Sequence, residues 1–135
     1  MLICDTHADT LYAMQQPERS AGLPFDVTKE RLLGTQDVRV QALALFVGAD
    51  GARNVVDEII QRELVAFEAL KAQGFVQIRE VEEAQAGQVN AMLTIEGGEA
   101  FGRDEAGVDA YAAAGVRAAA LVWNNENGLA YPATG

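Results

Sequence analysis

Val38-Arg39-Val40-Gln41-Ala42-Leu43-Ala44-Leu45-Phe46-Val47 (VRVQALALFV) is nearly continuous in apolar residues. A strand wet on one face alternates apolar and polar side chains. A run like this one predicts a strand covered on both faces, as in a parallel sheet. The period then changes. From Asn54 to Gln73, the residues Val55, Val56, Ile59, Ile60, Leu64, Phe67 and Leu70 recur at i, i+3 and i+4 spacing. That spacing predicts a helix, with Gly74 as its stop. This helix is read as packing alone, with Glu58 and Arg62 forming an i, i+4 surface pair worth roughly 0.3 kcal/mol.

The alternation continues in both directions. Asn90–Ile95 (NAMLTI) reads as a strand, followed by Glu96-Gly97-Gly98. Before it, Phe75–Ile78 reads as a short extended piece and Val81–Ala86 as one or two helical turns ended by Gly87. Glu105–Ala114 is helical with Gly115 as its stop, and Val116–Trp123 (VRAAALVW) is the fourth main strand, with a polar stretch from Asn124 to Gly135 behind it. Near the start, Leu2–Asp5 reads as a short buried strand. Tyr12–Pro24 is mainly loop with a helical turn, Thr28 caps a short helix stopped by Gly34, and Gly48–Gly51 is a loop. Buried-type strands alternating with helices predict a parallel sheet with right-handed crossovers. The pattern leaves two architectures open, a doubly wound sheet or part of a (β/α) barrel.

Composition narrows the class. The chain has 135 residues, 50% of them apolar, which suits one globular domain. Ten basic against twenty acidic residues give a net charge of −10. Such a surface repels nucleic acid and anionic membranes, so neither is expected as a partner. The single cysteine, Cys4, forms no internal disulfide and is expected in the first strand as a small buried hydrophobe. No apolar run approaches the roughly 20 residues of a membrane span. With Met1 at the edge of the first strand, no signal peptide is expected, and a cytoplasmic location follows as the expectation.

The candidate chemistry follows the strands directly. His7 and Asp9 come after the first, Glu96 after the third, and Trp123, Asn124 and Asn125 close the fourth. In parallel α/β folds the C-terminal strand ends build the site. Residues i and i+2 of a strand share a side, so His7 and Asp9 are expected to emerge together. Zinc accepts an imidazole and a carboxylate at about 2.0–2.2 Å. Taken singly, each group has an ordinary explanation. A lone histidine is more often structural than a ligand, and Trp123 alone could be core. Glu96 differs from the other acids because Gly97-Gly98 follow it, letting the backbone turn sharply beside a ligand.

Three blocks carry a family likeness: Asp5-Thr6-His7-Ala8-Asp9-Thr10, Thr94-Ile95-Glu96-Gly97-Gly98-Glu99, and Gly115-Val116-Arg117 through Leu121-Val122-Trp123-Asn124-Asn125-Glu126-Asn127. Together they resemble the amino-terminal part of the membrane (renal) dipeptidases, zinc peptidases of the amidohydrolase-like barrel type. Trp-Asn-x-x-Asn at 123–127 looks like the bacterial branch. Mammalian enzymes carry a histidine where Trp123 stands, so that histidine's role on substrate is not carried over. The resemblance implies the first four βα units of a TIM-type (β/α)8 barrel, a half-barrel of parallel strands. It implies that His7, Asp9 and Glu96 bind metal, Glu96 bridging two zinc ions as the catalytic carboxylate, with Trp123 and Asn124 lining the dipeptide pocket. In the family a water or hydroxide between the metals attacks the scissile amide carbonyl.

Family members are more than twice this length, and their second-site histidines, a substrate-binding arginine and a proton-handling aspartate lie beyond the fourth strand. Residues 1–135 are therefore expected to be the amino-terminal half of a metal-dependent hydrolase barrel, truncated, holding at most one zinc, and inactive alone. Self-association or a missing carboxyl-terminal half is expected at the open sheet edges. The competing expectations are another amidohydrolase, acting on a lactam or N-acyl amino acid, and a non-catalytic half-barrel that assembles with a partner.

Overall fold

A computed structural model describes residues 1–16, 18, 27–33, 37–48, 53–102 and 105–133. Five strands form one sheet: β1 (Leu2–Asp5), β2 (Val38–Phe46), β3 (Phe75–Gln77), β4 (Val89–Glu96) and β5 (Val116–Ala120). The helices are α1 (Thr10–Ala13), α2 (Lys29–Leu32), α3 (Arg53–Ala72) and α4 (Glu105–Ala114), with single 3-10 turns at Val81–Glu83 and Gly98–Phe101. Every strand pair is parallel. β1 pairs with β2 and β2 with β4. β3 takes the start of β4, through Phe75 to Gln77 against Val89 to Ala91, and β5 takes its end, from Leu93 to Glu96. The α/β pattern is that of a partial TIM-type barrel, with the sheet left open.

Alternation along the strands sorts the two faces. Leu43, Leu45 and Val47, with Val89, Ala91, Leu93 and Ile95, pack against Val56, Ile60, Phe67 and Leu70 of α3 in one apolar cluster. Each such side chain contributes about 1.5–3 kcal/mol on burial. The intervening positions, Thr94 and Glu96 among them, point to the other face. At the strand starts, buried Asn90 ties down the preceding loop: Oδ1 accepts from the Gln85 N–H at 3.1 Å, and Nδ2 donates to the Arg39 carbonyl at 2.8 Å.

Several expectations change. The piece at Phe75–Gln77 is a full member of the sheet. Helical structure after Val81 is one 3-10 turn. Thr28 does cap its helix, its Oγ1 accepting from the Arg31 N–H at 3.3 Å. The fourth main strand stops at Ala120, so Trp123 lies in the loop beyond. The expected stop at Gly34, most of the Gly48–Gly51 loop and most of the 17–24 stretch lie outside the described residues. The largest correction concerns the edges. β1 and nearly all of β5 are exposed, and Cys4 is exposed rather than buried. An apolar strand is buried only when neighbours cover it, and β1 has one strand partner along one edge. Among the described residues, no helix is long and apolar enough to cross a membrane.

Candidate metal centre

β1 ends at Asp5, so His7 and Asp9 stand in the short connection to α1, not in the strand. The connection bends back through local hydrogen bonds. The His7 N–H donates to Asp5 Oδ1 at 3.2 Å, and the Ala8 carbonyl accepts from the Ala44 N–H of β2 at 3.0 Å. The turn, and not strand alternation, thus brings the two side chains together. His7 Nε2 lies 3.1 Å from Asp9 Oδ1 and 3.3 Å from Glu96 Oε2. Glu96 arrives from the far side as the last residue of β4, in register with Phe46 of β2. One ligand atom from each of the three residues lies within 4.8 Å of the others.

The backbone behind Glu96 explains the paired glycines. Gly97 has φ +101°, a conformation that side chains disfavour. Gly98 donates its N–H to the Leu121 carbonyl at 3.0 Å, and a Cβ at Gly98 would sit 2.6 Å from that oxygen. The two glycines therefore let the exits of β4 and β5 lie against each other. Between those exits a hollow of about 260 Å³ is lined by Thr6, His7, Thr94, Ile95, Glu96 and Ala118 to Ala120.

The triad is open to solvent: the side chains of His7, Asp9 and Glu96 are 47%, 55% and 23% exposed. Burial pushes the Glu96 carboxyl above its ordinary range, the His7 ring opposes that rise, and the Asp9 charge adds to it. Two carboxylates held against one imidazole concentrate negative charge, which a cation would relieve. The donor set, one nitrogen and two oxygens with open access, matches what zinc accepts when it keeps a position for water.

Trp123 stands in the loop after β5, at the end of an aromatic ridge that runs through Phe46, the residue of β2 in register with Glu96. Its ring meets Phe46 edge-on at 5.1 Å, and Phe46 meets Tyr12 at 5.2 Å. Asn124 is exposed in the same loop and takes no place in the triad. Asn127 braces that loop instead: Nδ2 donates to the Leu121 carbonyl at 2.7 Å, and Oδ1 accepts from the N–H groups of Leu129 and Ala130 at 2.8 and 3.1 Å.

One residue near the centre went unnoticed in the sequence. Glu63 of α3 is fully buried, and its Oε2 accepts from the Phe46 N–H at 2.8 Å. Its Oε1 has no partner among the described residues. Burial pushes this carboxyl up to about 8, against the pull of the Phe46 N–H, with the Asp9 charge adding to the rise. A signal was present, because 56, 60, 63, 67 and 70 form one helical stripe in which only position 63 is polar. Helix α3 is therefore more than packing.

Residues 1–134 match the profile of the membrane dipeptidases, peptidase family M19. No curated protein matches the chain.

Proposed function

The chain belongs to the membrane dipeptidase family of peptidases, and from that membership we propose that it carries the His7–Asp9–Glu96 part of a zinc-dependent dipeptidase site. The observation that carries the proposal is the convergence of the three side chains from two strand ends far apart in sequence. His7, Asp9 and Glu96 would hold the metal, and Glu96 is the carboxylate available to a second one. When bound, zinc would act as a Lewis acid on the scissile amide carbonyl and lower the pKa of water there. The chain's own part is to place these donors. The Asp5 turn and the Ala8 carbonyl fix the His7–Asp9 loop, and the Gly97-Gly98 bend lets Glu96 face it.

A dipeptide is the substrate class, its scissile amide seated in the hollow between the exits of β4 and β5. Trp123 and Asn124, in the loop after β5, would line the substrate's pocket, and the aromatic ridge would support an apolar side chain of the substrate. The exposed strands β1 and β5 support a further proposal, that the active unit includes more strands, from the remainder of a barrel or from a second copy. Alone, the 135 residues would hold at most one zinc, weakly, and hydrolyse nothing, because one carboxylate does not hold a second zinc.

Zinc titration of the chain, followed by metal analysis and a dipeptide hydrolysis assay, tests this. One zinc or fewer per chain is expected, with affinity falling roughly 100-fold in His7→Ala or Asp9→Ala, and no hydrolysis. In a complete active unit, Glu96→Ala should cost more activity than either. Hydrolysis by the isolated chain that survives His7→Ala would defeat both the site and the need for further strands.

A further inference from the structure

β1 accompanies β2 only as far as Asp5 opposite Gln41. Beyond that point the same edge of β2 is met by the loop that carries His7 and Asp9, where the Ala44 N–H reaches the Ala8 carbonyl. Alternate N–H groups of a strand point to the same neighbour, so the next one on this edge belongs to Phe46. Among the described residues no backbone carbonyl meets it, and the chain turns into α1 at Thr10. The Glu63 carboxyl takes that place, its Oε2 reaching from α3 to accept from the Phe46 N–H. Helix α1 is tied to the same turn of α3: Gln15 Nε2 donates to the carbonyls of Leu11 and Arg62, both at 3.5 Å.

Phe46 is the residue of β2 in register with Glu96, and its ring carries Trp123. The Glu63 bond thus lies where the strand end bearing Glu96's neighbour meets the loop bearing the other two ligands. A leucine at position 63 would complete the apolar stripe of α3. It would also leave the Phe46 N–H buried without an acceptor, a cost of the kind that distorts a strand end. Holding an acid there with one oxygen unpartnered among the described residues is itself unfavourable, and such a group in a folded core calls for a reason beyond packing.

We infer that Glu63 is a positioning residue of the metal centre, its carboxyl oxygen holding the end of β2 at Phe46 so that Glu96 and the His7–Asp9 loop stay in ligand geometry. This rests on the metal reading above. Partners standing behind metal ligands commonly change affinity by about 10–100-fold when removed.

The test compares two substitutions by zinc titration of the full chain, with zinc alone as the probe. Glu63→Gln keeps an acceptor oxygen at the same reach and should bind zinc within about threefold of the unaltered chain. Glu63→Asp keeps the acid but is one methylene short, and should bind roughly tenfold more weakly, with faster amide hydrogen exchange at Phe46. Leu70→Ala, a core change on the same helix, controls for lost stability and should leave zinc affinity unchanged. Equal affinity in Glu63→Asp and the unaltered chain would overturn the inference, as would a Leu70→Ala loss matching that of Glu63→Asp. So would Glu63→Gln binding as weakly as Glu63→Asp. Failure of the underlying metal reading looks different: the unaltered chain would then bind no zinc that His7→Ala abolishes, and the inference would fall with it.

Discussion

β2 and β4 are buried along most of their length and partly buried elsewhere, while β1 and β5 are exposed along almost all of theirs. All four are rich in apolar residues. The difference is neighbours: β2 and β4 each have strands along both edges and α3 across one face, and β1 has a strand on one side alone. The candidate metal centre straddles this divide. Glu96 rises from the packed middle, and His7 and Asp9 hang from the open edge. A site so divided keeps one ligand rigid and makes the other two depend on a few hydrogen bonds to β2.

The sharpest way to break the contrast is a matched pair of truncations. Leu43→Ala, in the middle of β2, should cost about 3–4 kcal/mol in urea denaturation, because the cavity opens among packed neighbours. Leu2→Ala in β1 should stay within about 0.5 kcal/mol. Equal costs would mean that β1 is covered in solution, by a second copy or further strands.

Next in size is a pH effect confined to the middle of the molecule. The Glu63 carboxyl titrates near 8 in the folded chain, against 4.5 ordinarily. Between those values the folded form keeps a proton that the unfolded form has released. Stability should therefore fall as pH rises from about 4.5 to about 8, then level off, with a limiting slope near 1.4 kcal/mol per unit and a total on the order of 5 kcal/mol. In Glu63→Gln that slope should vanish, leaving the variant more stable than the unaltered chain at pH 8. A slope that persists in Glu63→Gln would place the responsible group elsewhere.

The smallest effect reads the edge itself. Cys4 is exposed in β1, so a thiol reagent should label it in the native chain at close to the rate of an unstructured thiol. If copies pair through β1, labelling should slow as protein concentration rises. A rate that is slow even in dilute solution would show the strand to be covered within a single chain.

Much of this arrangement is legible in the residues. Glu105–Ala114 is a helix over the expected span, and α3 begins and ends one residue from the 54–73 expectation, because apolar periodicity and glycine stops are local signals. The continuous run at 38–47 marked a strand covered on both faces, and the reading of 90–95 found the other packed strand, which the structure extends by one residue at each end. His7, Asp9 and Glu96 could be proposed together because each follows a strand, and parallel strands deliver their C-terminal ends to one side of the sheet. Glu63 was passed over because an acid within an amphipathic pattern ordinarily faces water, and only its place on the 56–60–63–67–70 stripe argued otherwise.

The sequence by itself determined the alternation of strands and helices and the parallel sense of the sheet, since these depend on local periodicity and chain order, and its family resemblance marked His7, Asp9 and Glu96 as candidate metal donors. Tertiary structure alone decided that β3 and β5 share one edge of β4, that β1 and Cys4 are exposed, and that the Phe46 N–H finds its acceptor on Glu63. Burial and hydrogen-bond pairing are properties of what lies alongside a residue in space, and residues 17 or 89 positions apart become neighbours only when the sheet assembles.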